Sequence, residues 1–452
     1  MTSDQTSHPA QEEALDGTAL SAAPIQIAVV GAGPVGLTTA LLLAQRTASH
    51  PHAGPVALIA PAQRTGTDVR DYRTAAVFHQ GCDLLRAAGA AETLFDESAA
   101  LAGIRMIDIS DRLLRAPDVM FRAAEVGLDA FGHNLANADI VRHLEAAARR
   151  ASGLRRITGR VVDATIPAAG DADDVVLTLD TGEQIRTRAV VAADGRHSKL
   201  RAAAGITTRQ WSRGQAAITT QFAHSRTHGN ISTELHDRQG PCTTVPLMGQ
   251  RSSLVWMVRE DSLEKVMGDG SSAAPLQAAL QPRVGTYLGA ISDMTPPKAV
   301  SLLSLVARRM AARRVFLVGE AGHAFPPIGA QGLNLGFRDV ADAVDVIGGA
   351  IERGSDPGAA AVTARYHALR WVDVEARSQA VDALNESLVS RFPFLPAARG
   401  LGLLSVSAIP PLRRLLMNRG MAGISLPDVR DLGRRLRPGR GDAKSTLKPR
   451  GV

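Results

Sequence analysis

Residues 25–45, IQIAVVGAGPVGLTTALLLAQ, leave fewer choices of fold than any other stretch of the chain. The apolar run 25–30 is typical of a buried parallel strand, and it leads through a glycine-rich turn into an apolar helix. Gly31 permits the tight turn, Gly33 lets the backbone approach a phosphate, and Gly36 lets the helix pack closely on the strand. Free N–H groups at the start of the helix favour negative charge. The stretch therefore predicts a pyrophosphate site in a dinucleotide-binding fold.

The second strand of such a fold is predicted at 56–60, VALIA. An acidic residue usually ends this strand and binds the adenosine ribose. Here Ala60 and Pro61 take its place, and Arg64 follows closely. An arginine without the acid is compatible with the extra phosphate of NADP, so FAD and NADP are both candidates at this point.

The composition is that of a soluble globular protein with two or three compact units. Of the 452 residues, 45% are hydrophobic and 21% are charged. No apolar run reaches the roughly 18 residues that cross a bilayer. Residues 1–23 lack the pattern of a secretory signal and are expected to form a flexible tail. Cys82 and Cys242 fit neither a metal site nor a disulfide framework, so we expect a cytoplasmic protein without a metal centre.

The net charge of +7 is concentrated at the carboxyl end of the chain. Residues 430–452 hold eight basic and two acidic side chains, which accounts for six of the seven excess charges. This basic tail is either a solubilising end or a contact for an anionic surface such as lipid. The apolar stretch 401–424, with interleaved arginines, fits either core packing or contact with a membrane surface. No aromatic residue interrupts the basic tail, which argues against a nucleic-acid partner.

The segment after the second strand mixes helices with strands. Arginines in 68–89 precede an amphipathic helix that ends near Gly89. Residues 103–123 predict strands that lie outside the nucleotide fold. A helix is predicted over 137–150, with Asn137 as its N-cap.

Two further runs, 156–166 and 174–185, resemble a hairpin whose turn lies near Thr181-Gly182. The strand that follows ends at Asp194-Gly195. A carboxylate at the carboxyl end of a parallel strand lies where ligands bind in open α/β sheets. The same dipeptide also occurs in plain turns, so both interpretations stay open here.

Residues 215–260 predict four strands of an antiparallel sheet, inserted in the nucleotide fold and able to cover a pocket. Five aromatic or histidine side chains lie in or beside this sheet: Trp211, Trp256, His224, His228 and His236. We interpret them as packing or surface residues, because no histidine pair combines metal-ligand spacing with a carboxylate partner.

A third glycine-bearing segment spans residues 314–351. A predicted strand ends at Glu320, a loop with Pro326 and Pro327 follows, and a helix starts near Gly332. If its strand shares a sheet with the first strand, the amino end of this helix points back toward the ligand of the first motif. It can then stabilise negative charge far from the pyrophosphate. Beyond residue 352 the chain is predicted to be helical.

The three motifs GAGPVG at 31–36, AADG at 192–195 and GEAGHAFPPIGAQGLN at 319–334 occur in the order found in one family. Over about residues 25–350 the chain resembles the single-component FAD-dependent aromatic hydroxylases, which share the p-hydroxybenzoate hydroxylase-like fold. The third motif and its continuation LNLGFRDVADAVD resemble most closely the hydroxylases of ubiquinone biosynthesis. The resemblance favours FAD over NADP, since no second G-x-G-x-x-G exists for a nicotinamide domain.

The resemblance implies an α/β protein with a Rossmann-like FAD-binding domain, an inserted antiparallel β-sheet substrate domain and a helical C-terminal region. The FAD-binding domain is expected at 24–200 and 305–350, with part of the substrate domain at about 98–134. The substrate-domain sheet is expected at 201–304. The C-terminal helices are expected at 351–429.

The resemblance also implies which residues hold the cofactor. It assigns the ADP half of FAD to Gly31, Gly33 and Gly36, and the pyrophosphate region to Arg73. An amide side chain against the cofactor falls on Asn137, and the second motif falls on Asp194 and Gly195. Its third motif places the following residues around the ribityl chain and flavin ring: Gly319, Glu320, Pro327, Gln331, Gly332 and Asn334. The Pro327 carbonyl is expected to face the reaction site, and no catalytic side chain is identifiable.

The implied activity is hydroxylation of an aromatic ring, with a prenylated ubiquinone precursor as the expected substrate. In this family NADH or NADPH reduces the FAD, and reaction with dioxygen gives a flavin hydroperoxide that transfers one oxygen atom. Expected partners are the aromatic substrate, dioxygen, a membrane surface at the inner face of the membrane and a biosynthetic complex. Two alternatives are an oxidoreductase of the same fold that acts on an isoprenoid without inserting oxygen, and a flavin-binding accessory protein without turnover.

Overall fold

The computed structural model describes residues 25–50, 54–62, 72–110, 117–168, 170–237, 240–270 and 272–389, together with residues 411, 413, 414 and 417. Within these residues the helices are α1 (Pro34–Thr47), α2 (His79–Ala87), α3 (Thr93–Asp96), α4 (Asn137–Arg150), α5 (Lys199–Ala203), α6 (Leu263–Met267), α7 (Ala274–Leu288), α8 (Gln331–Glu352) and α9 (Ala360–Val389). Nowhere in this part of the chain does a helix combine the length and the hydropathy that a bilayer span requires.

The strands of the first half of the chain are β1 (Ile25–Val30), β2 (Val56–Ala60), β3 (Thr74–Phe78), β4 (Ala99–Ala100), β5 (Gly103–Asp108), β6 (Val119–Arg122), β7 (Gly132–Ala136), β8 (Leu154–Thr158), β9 (Val161–Thr165), β10 (Val175–Leu179) and β11 (Gln184–Ala192). Those of the second half are β12 (Thr208–Trp211), β13 (Gln215–His224), β14 (Ile231–His236), β15 (Pro241–Leu247), β16 (Arg251–Arg259), β17 (Ile291–Ser292), β18 (Lys298–Ser301), β19 (Ser304–Ala307), β20 (Ala311–Ala312), β21 (Val315–Leu317) and β22 (His323–Ala324).

The first sheet has the strand order β20-β21-β11-β1-β2-β8, with β10 and β9 added beside β11. Strands β21, β11, β1, β2 and β8 run parallel to one another. Helices cover such sheets, so their strands are continuously apolar, as in IQIAVV and VALIA. The strands predicted at 25–30 and 56–60 are confirmed.

The predicted hairpin is confirmed only in part. Strands β10 and β11 form a hairpin around Thr181-Gly182, where Gly182 has a left-handed φ of 85°. The first run, however, divides at Gly159, whose N–H donates to Ala60 O at 3.0 Å. Strand β8 joins β2 in parallel, whereas β9 pairs with β10 in antiparallel fashion. The two halves of this run, β8 and β9, therefore pair with two different strands, β2 and β10.

The second sheet has the order β17-β13-β16-β15-β14-β5-β6, with β18 beside β13. The four strands predicted within 215–260 are confirmed as β13 to β16, and the strands predicted within 103–123 are confirmed as β5 and β6. The sheet is not purely antiparallel, because β14 pairs with β5 in parallel. Strand β5 comes from an earlier part of the chain and binds the edge that β14 leaves open.

Helix α7 has no counterpart among the elements predicted from the sequence, and Pro282 lies inside it. Its buried residues recur every fourth position, and this spacing is the signal that would have predicted the helix. They are Leu276, Leu280, Val284 and Leu288. They pack on one face of the second sheet and form a core with Trp256. A separate and larger core lies between the first sheet and α1, α4 and α8.

Two of the aromatic and histidine residues assigned to packing have clear packing roles. Trp256 is buried in the second core, and His224 Nε2 lies 3.0 Å from Ser252 Oγ in a buried hydrogen bond. His236 differs from them, because its Nε2 lies 2.5 Å from a carboxylate oxygen, Glu234 Oε1. The two residues are separated by one position on β14, and this spacing along a strand is the sequence signal that would have indicated the contact.

The helical region expected beyond residue 352 is confirmed for α9. Most of the stretch 401–424 and all of 430–452 lie outside the described residues. Of the former, Met417 is buried in a cluster with Phe78 and Val245, which agrees with core packing at this one position.

Candidate functional site

Three turns meet at the carboxyl end of the first sheet. They follow the neighbouring strands β1, β11 and β21 and contain Gly31, Asp194 and Gly319. A Cβ on Gly31 would lie 2.2 Å from Ala193 O, and one on Gly319 would lie 3.3 Å from Val35 of α1. The three segments that carry the family resemblance are therefore neighbours at the edge where open α/β sheets bind ligands.

The glycines of the first motif have different surroundings. Gly31 has a φ of 112°, and a Cβ on Gly36 would lie 2.0 Å from Gly31 O, so both residues are needed for the turn to pack. Gly33 is exposed and has an extended conformation that any residue adopts, and no atom of the described residues lies within 4 Å of an added Cβ. The space beside Gly33 lies at the amino end of α1, where no side chain in the described part of the chain caps the first N–H groups. This cradle fits a pyrophosphate.

Arg73 and Asn137 are brought together by strands β3 and β7. The Asn137 N–H donates to Arg73 O at 3.1 Å, and Thr74 pairs with Ala136. The prediction that Asn137 is the N-cap of α4 is wrong, because Ala136 holds that position and Asn137 is the first helical residue. A capping side chain would accept from the first turn, whereas Asn137 Oδ1 is buried and has no hydrogen-bond partner among the described residues. An orphaned amide oxygen beside an exposed arginine fits a bound polar ligand.

The two carboxylate oxygens of Asp194 have different surroundings. Its Oδ2 accepts from Lys199 N at 3.0 Å, at the start of α5. Its Oδ1 is buried without a partner in the described part of the chain. Gly195 has a φ of 81°, and an added Cβ would have no neighbour within 4 Å among the residues that the structure describes. This strand end therefore offers one free acceptor and open space, which fits the hydroxyl groups of a ribityl chain.

Glu320 lies in a short turn after β21, with 61% of its side chain exposed. Arg196 Nε lies 4.0 Å from Glu320 Oε2. At the end of β2, Ala60 is buried and Pro61 follows, so the described residues there supply no acid for a ribose. Arg64 lies outside the described residues.

The proline loop, residues 326–330, leads from β22 into α8. Pro327 is exposed, whereas Ile328 is buried. Gly329 and Ala330 both have left-handed φ values, of 62° and 55°. A left-handed alanine is strained, and its occurrence at the N-cap of a helix is typical of a functional loop.

Asn334 of α8 holds the proline loop against β3. Its Oδ1 accepts from Phe78 N at 2.9 Å. Its Nδ2 donates to Ala76 O and to Ala330 O, both at 2.7 Å. Because the side chain is used by protein atoms, Asn334 supports the loop from behind.

Gln331 supports the loop from the start of α8. Its Nε2 donates to Gly329 O at 2.9 Å, and its Oε1 accepts from Arg377 of α9. The next residue, Gly332, is exposed, and no described atom lies within 4 Å of an added Cβ. The backbone at Gly332 is therefore open to a ligand, whereas the Gln331 side chain is occupied.

A sequence profile of the FAD binding domain family matches residues 24–381. The chain belongs to this family. It is 32% identical over 410 residues to the ubiquinone hydroxylase of Rhodospirillum rubrum, an alignment that covers 88% of this chain and 90% of that relative. It is 28% identical over 394 residues to the 3-demethoxyubiquinol 3-hydroxylase of Escherichia coli, covering 86% and 97%.

A solved structure of p-nitrophenol 4-monooxygenase from Pseudomonas putida matches this flavoprotein with a TM-score of 0.67, covering 88% of this chain and 98% of the other. At 18% identity this likeness bears on the fold alone. The resemblance to FAD-dependent aromatic hydroxylases is confirmed, and with it the α/β fold, the enzyme class of FAD-dependent monooxygenase and FAD as the cofactor. The first motif left FAD and NADP open as cofactors, and the family match identifies FAD.

The flavoprotein also has a buried charge cluster that the sequence analysis missed. Asp339 of α8 is fully buried, and its Oδ2 accepts from Gly319 N at 2.9 Å and from His323 Nε2 at 2.6 Å. Its Oδ1 accepts from Arg370 Nε of α9 at 2.7 Å. One carboxylate thus joins the turn after β21, strand β22 and two helices. An aspartate within an amphipathic helix is usually exposed, so the sequence gives no signal for this role.

The cluster continues through the partners of Arg370. Its guanidinium also contacts Asp342 at 2.9 Å and Asp373 at 3.0 Å, and Asp373 lies 3.3 Å from Arg377 Nε. Because Arg377 donates to Gln331, the cluster reaches the first residue of α8 beside the proline loop.

Electrostatics favours the charged form of Asp339. Burial acts to raise the pKa of Asp339, but the charges of His323 and Arg370 and the hydrogen bonds from His323 and Gly319 outweigh it. The pKa of Asp339 therefore lies below its usual value. A carboxyl group whose pKa is lowered on folding stabilises the folded state above its unfolded pKa of about 3.9, and this contribution is lost as the pH falls through the folded pKa.

A cavity of about 450 Å³ lies between β7, α4 and the second sheet. Tyr72, Asn134 and Arg142 line one wall, and Gln221 and Arg251 line the other. The walls are joined where Gln221 Nε2 donates to Tyr72 O at 2.9 Å. The cavity therefore opens at the boundary between the two sheets, beside the first turn of α4.

We expect Gly33→Ala to weaken FAD binding by about tenfold or more without harming the fold. A methyl group there meets no atom of the described residues but enters the proposed space of the pyrophosphate, and the extended backbone suits alanine. FAD titration of the apoprotein and its urea unfolding are the measurements. Gly36→Ala is the contrasting control, since its Cβ would meet Gly31 O and should destabilise the apoprotein by about 1–3 kcal/mol. Full FAD affinity in Gly33→Ala would contradict this assignment.

We expect Asp339→Asn to lower the free energy of unfolding by about 3–5 kcal/mol at pH 7, because it leaves Arg370 and its neighbours in a broken buried network. Since the native carboxylate contributes only while ionised, the difference from wild type should shrink below about pH 4. Urea unfolding across this pH range is the measurement. Asp345→Asn, on the exposed side of α8, is the matched control and should cost less than about 1 kcal/mol. Equal stability of Asp339→Asn and wild type would disprove the role of the cluster.

Proposed function

We propose that this flavoprotein hydroxylates the aromatic ring of a prenylated ubiquinone precursor, using dioxygen and either NADH or NADPH. The observation that carries the proposal is the near full-length similarity, at 32% identity, to a protein named a ubiquinone hydroxylase. The second relative, named a 3-demethoxyubiquinol 3-hydroxylase, supports the same substrate class. The meeting of the three motifs at one sheet edge supports the chemistry.

The first motif and its neighbours would bind the phosphate end of FAD. Gly31, Gly33 and Gly36 would hold the pyrophosphate at the start of α1, and Arg73 would balance its charge. The orphaned Asn137 Oδ1 would accept a hydrogen bond from the cofactor.

The second and third motifs would bind the middle and the ring end of FAD. The free Asp194 Oδ1 and the turns of Gly195, Gly319 and Glu320 would contact the ribityl chain. Gly332 would offer its backbone to the ring.

The proline loop would complete the ring site. Pro327 is exposed and would present its carbonyl toward the reacting atoms. Gln331 and Asn334 would hold the loop rather than touch the cofactor, because their side chains bond to Gly329 O and Ala330 O.

Reduced FAD would supply the activation of dioxygen, and the protein would supply position, dryness and charge. The amino end of α8, where no described side chain caps the first N–H groups, would stabilise negative charge on the ring. The loop fixed by Asn334 would close one side of the site, and the second sheet would close the other. Water would thereby be kept from the reacting atoms.

We infer that the two sheets belong to domains with different functions. Residues 24–200 and 305–350 would form the FAD-binding domain, and 201–304 with about 98–134 would form the substrate domain. The 450 Å³ cavity between the two sheets, whose lining includes Arg142 and Arg251 as well as Glu97 and Asp139, would admit the nicotinamide cofactor. The chain would then need no second dinucleotide-binding domain.

The test is product analysis with isotopically heavy dioxygen. The purified protein, loaded with FAD and given NADH or NADPH and a prenylated phenol, should yield a product that carries one heavy oxygen atom. A product that has lost or gained hydrogen without the label would mean an oxidoreductase that inserts no oxygen. Bound FAD that neither NADH nor NADPH reduces, even with substrate present, would mean an accessory protein.

A membrane contact would follow from a prenylated substrate, and the basic residues 430–452 would provide it. Deleting 430–452 should reduce binding to anionic vesicles by about threefold or more while leaving the FAD content unchanged. Zwitterionic vesicles are the control, since the full chain and the deletion variant should bind them equally weakly. Unchanged binding to anionic vesicles after the deletion would refute the contact.

A further inference from the structure

Glu234 and His236 of β14 form a buried pair that the site described above does not use. Glu234 Oε1 and His236 Nε2 lie 2.5 Å apart, and the two residues are only 7% and 3% exposed. Residues two apart on a strand point to the same face, which is why the strand brings them together.

The register of the second sheet identifies that face. Leu235 lies opposite Cys242, and Cys242 lies opposite Trp256. All three are buried in the core beneath α7. Because side chains alternate along a strand, Glu234 and His236 face away from α7.

The face that carries the pair also contacts the proline loop. Glu234 lies opposite Thr243, and Thr243 lies opposite Val255. Met257, two residues after Val255, points the same way and packs in a cluster with Ile328 of the loop.

A second contact with the loop lies further along β15. Val245, two residues after Thr243, belongs to a cluster against which Ala330 packs. The loop therefore meets this sheet face at two of its residues, Ile328 and Ala330, both of which follow Pro327. The pair lies on the side of the sheet that faces the proposed reaction site.

Two charged neighbours of the pair among the described residues, Asp237 and Asp108, are engaged in other contacts. Asp237, the next residue, is paired with Arg283 of α7. Asp108 of β5, which lies opposite His236, accepts from Ser110 N at 3.0 Å. A buried carboxylate and imidazole are costly for the fold, and together they are side chains well suited to accept and return a proton.

We propose that Glu234 and His236 act together as the proton acceptor for a hydroxyl group on the aromatic ring of the substrate. This inference rests on the proposed function. The O–H bond of the phenol breaks, its proton becomes bound to the pair, and its electron pair stays on the phenolate oxygen. The ring becomes electron-rich for oxygen transfer, and the pair returns the proton to the oxygen of the product.

The test uses FAD-loaded Glu234→Gln and His236→Gln with a prenylated phenol. Each variant should lose about a hundredfold or more in kcat for oxygen insertion, with the KM for the phenol and the FAD content close to wild type. Glu234→Asp keeps a carboxylate and should retain much more activity than Glu234→Gln. His224→Gln is the matched control, since this buried histidine lies two residues after Phe222 on β13 and so faces the α7 side of the same sheet.

A second measurement separates proton transfer from a structural role. The lost kcat of both glutamine variants should recover as the pH rises or as ring fluorination makes the phenol more acidic, because the substrate then ionises without help. Equal loss at every pH and with every phenol, or kcat unchanged in both variants, would overturn the assignment. If wild type itself inserts no oxygen, the proposed function fails instead, so the two failures are distinct.

Discussion

The close packing of the first glycine turn against the end of β11 determines where every other part of the site can lie. Gly36 lies so near Gly31, and Gly31 so near Ala193, that no side chain fits at either glycine. This contact fixes α1 against β1 and β11 and places the amino end of α1 beside the end of β11. Val35, in the first turn of the same helix, lies against Gly319. A cofactor that spans three strand ends needs those ends to be this close.

Asp339 provides the second constraint, because it ties the third strand end to two helices. Its buried carboxylate accepts hydrogen bonds from the Gly319 N–H, His323 and Arg370. Breaking such a network is costly, so the turn and α8 keep one relative position. Arg377 of α9 donates to Gln331, and this hydrogen bond extends the network to the start of α8 beside the proline loop. The site is thus held rigid by groups that need not touch the cofactor, as a preorganised site requires.

The two faces of the second sheet lie in different environments. Its α7 face is filled by apolar side chains around Trp256, while its other face contacts the proline loop and carries Glu234 and His236. The alternation of side chains along β14 allows a polar pair to lie one residue away from a dry core. The parallel addition of β5 extends this face with residues from an earlier segment. The second sheet therefore joins two distant parts of the chain beside one site.

Local patterns were enough to predict the glycine turn, the parallel strands, the four strands β13 to β16 and the start of α8, because periodicity and glycine spacing are properties of short segments. They did not predict that Ala136 is the N-cap of α4, that the run 156–166 divides into β8 and β9, or that α7 forms around Pro282. The contact of Asp339 with Arg370 and the placement of Glu234 and His236 on the loop side of the sheet emerge from the folded chain alone. Such relations join residues far apart in the chain or depend on which face of a sheet is covered, and no short pattern records either.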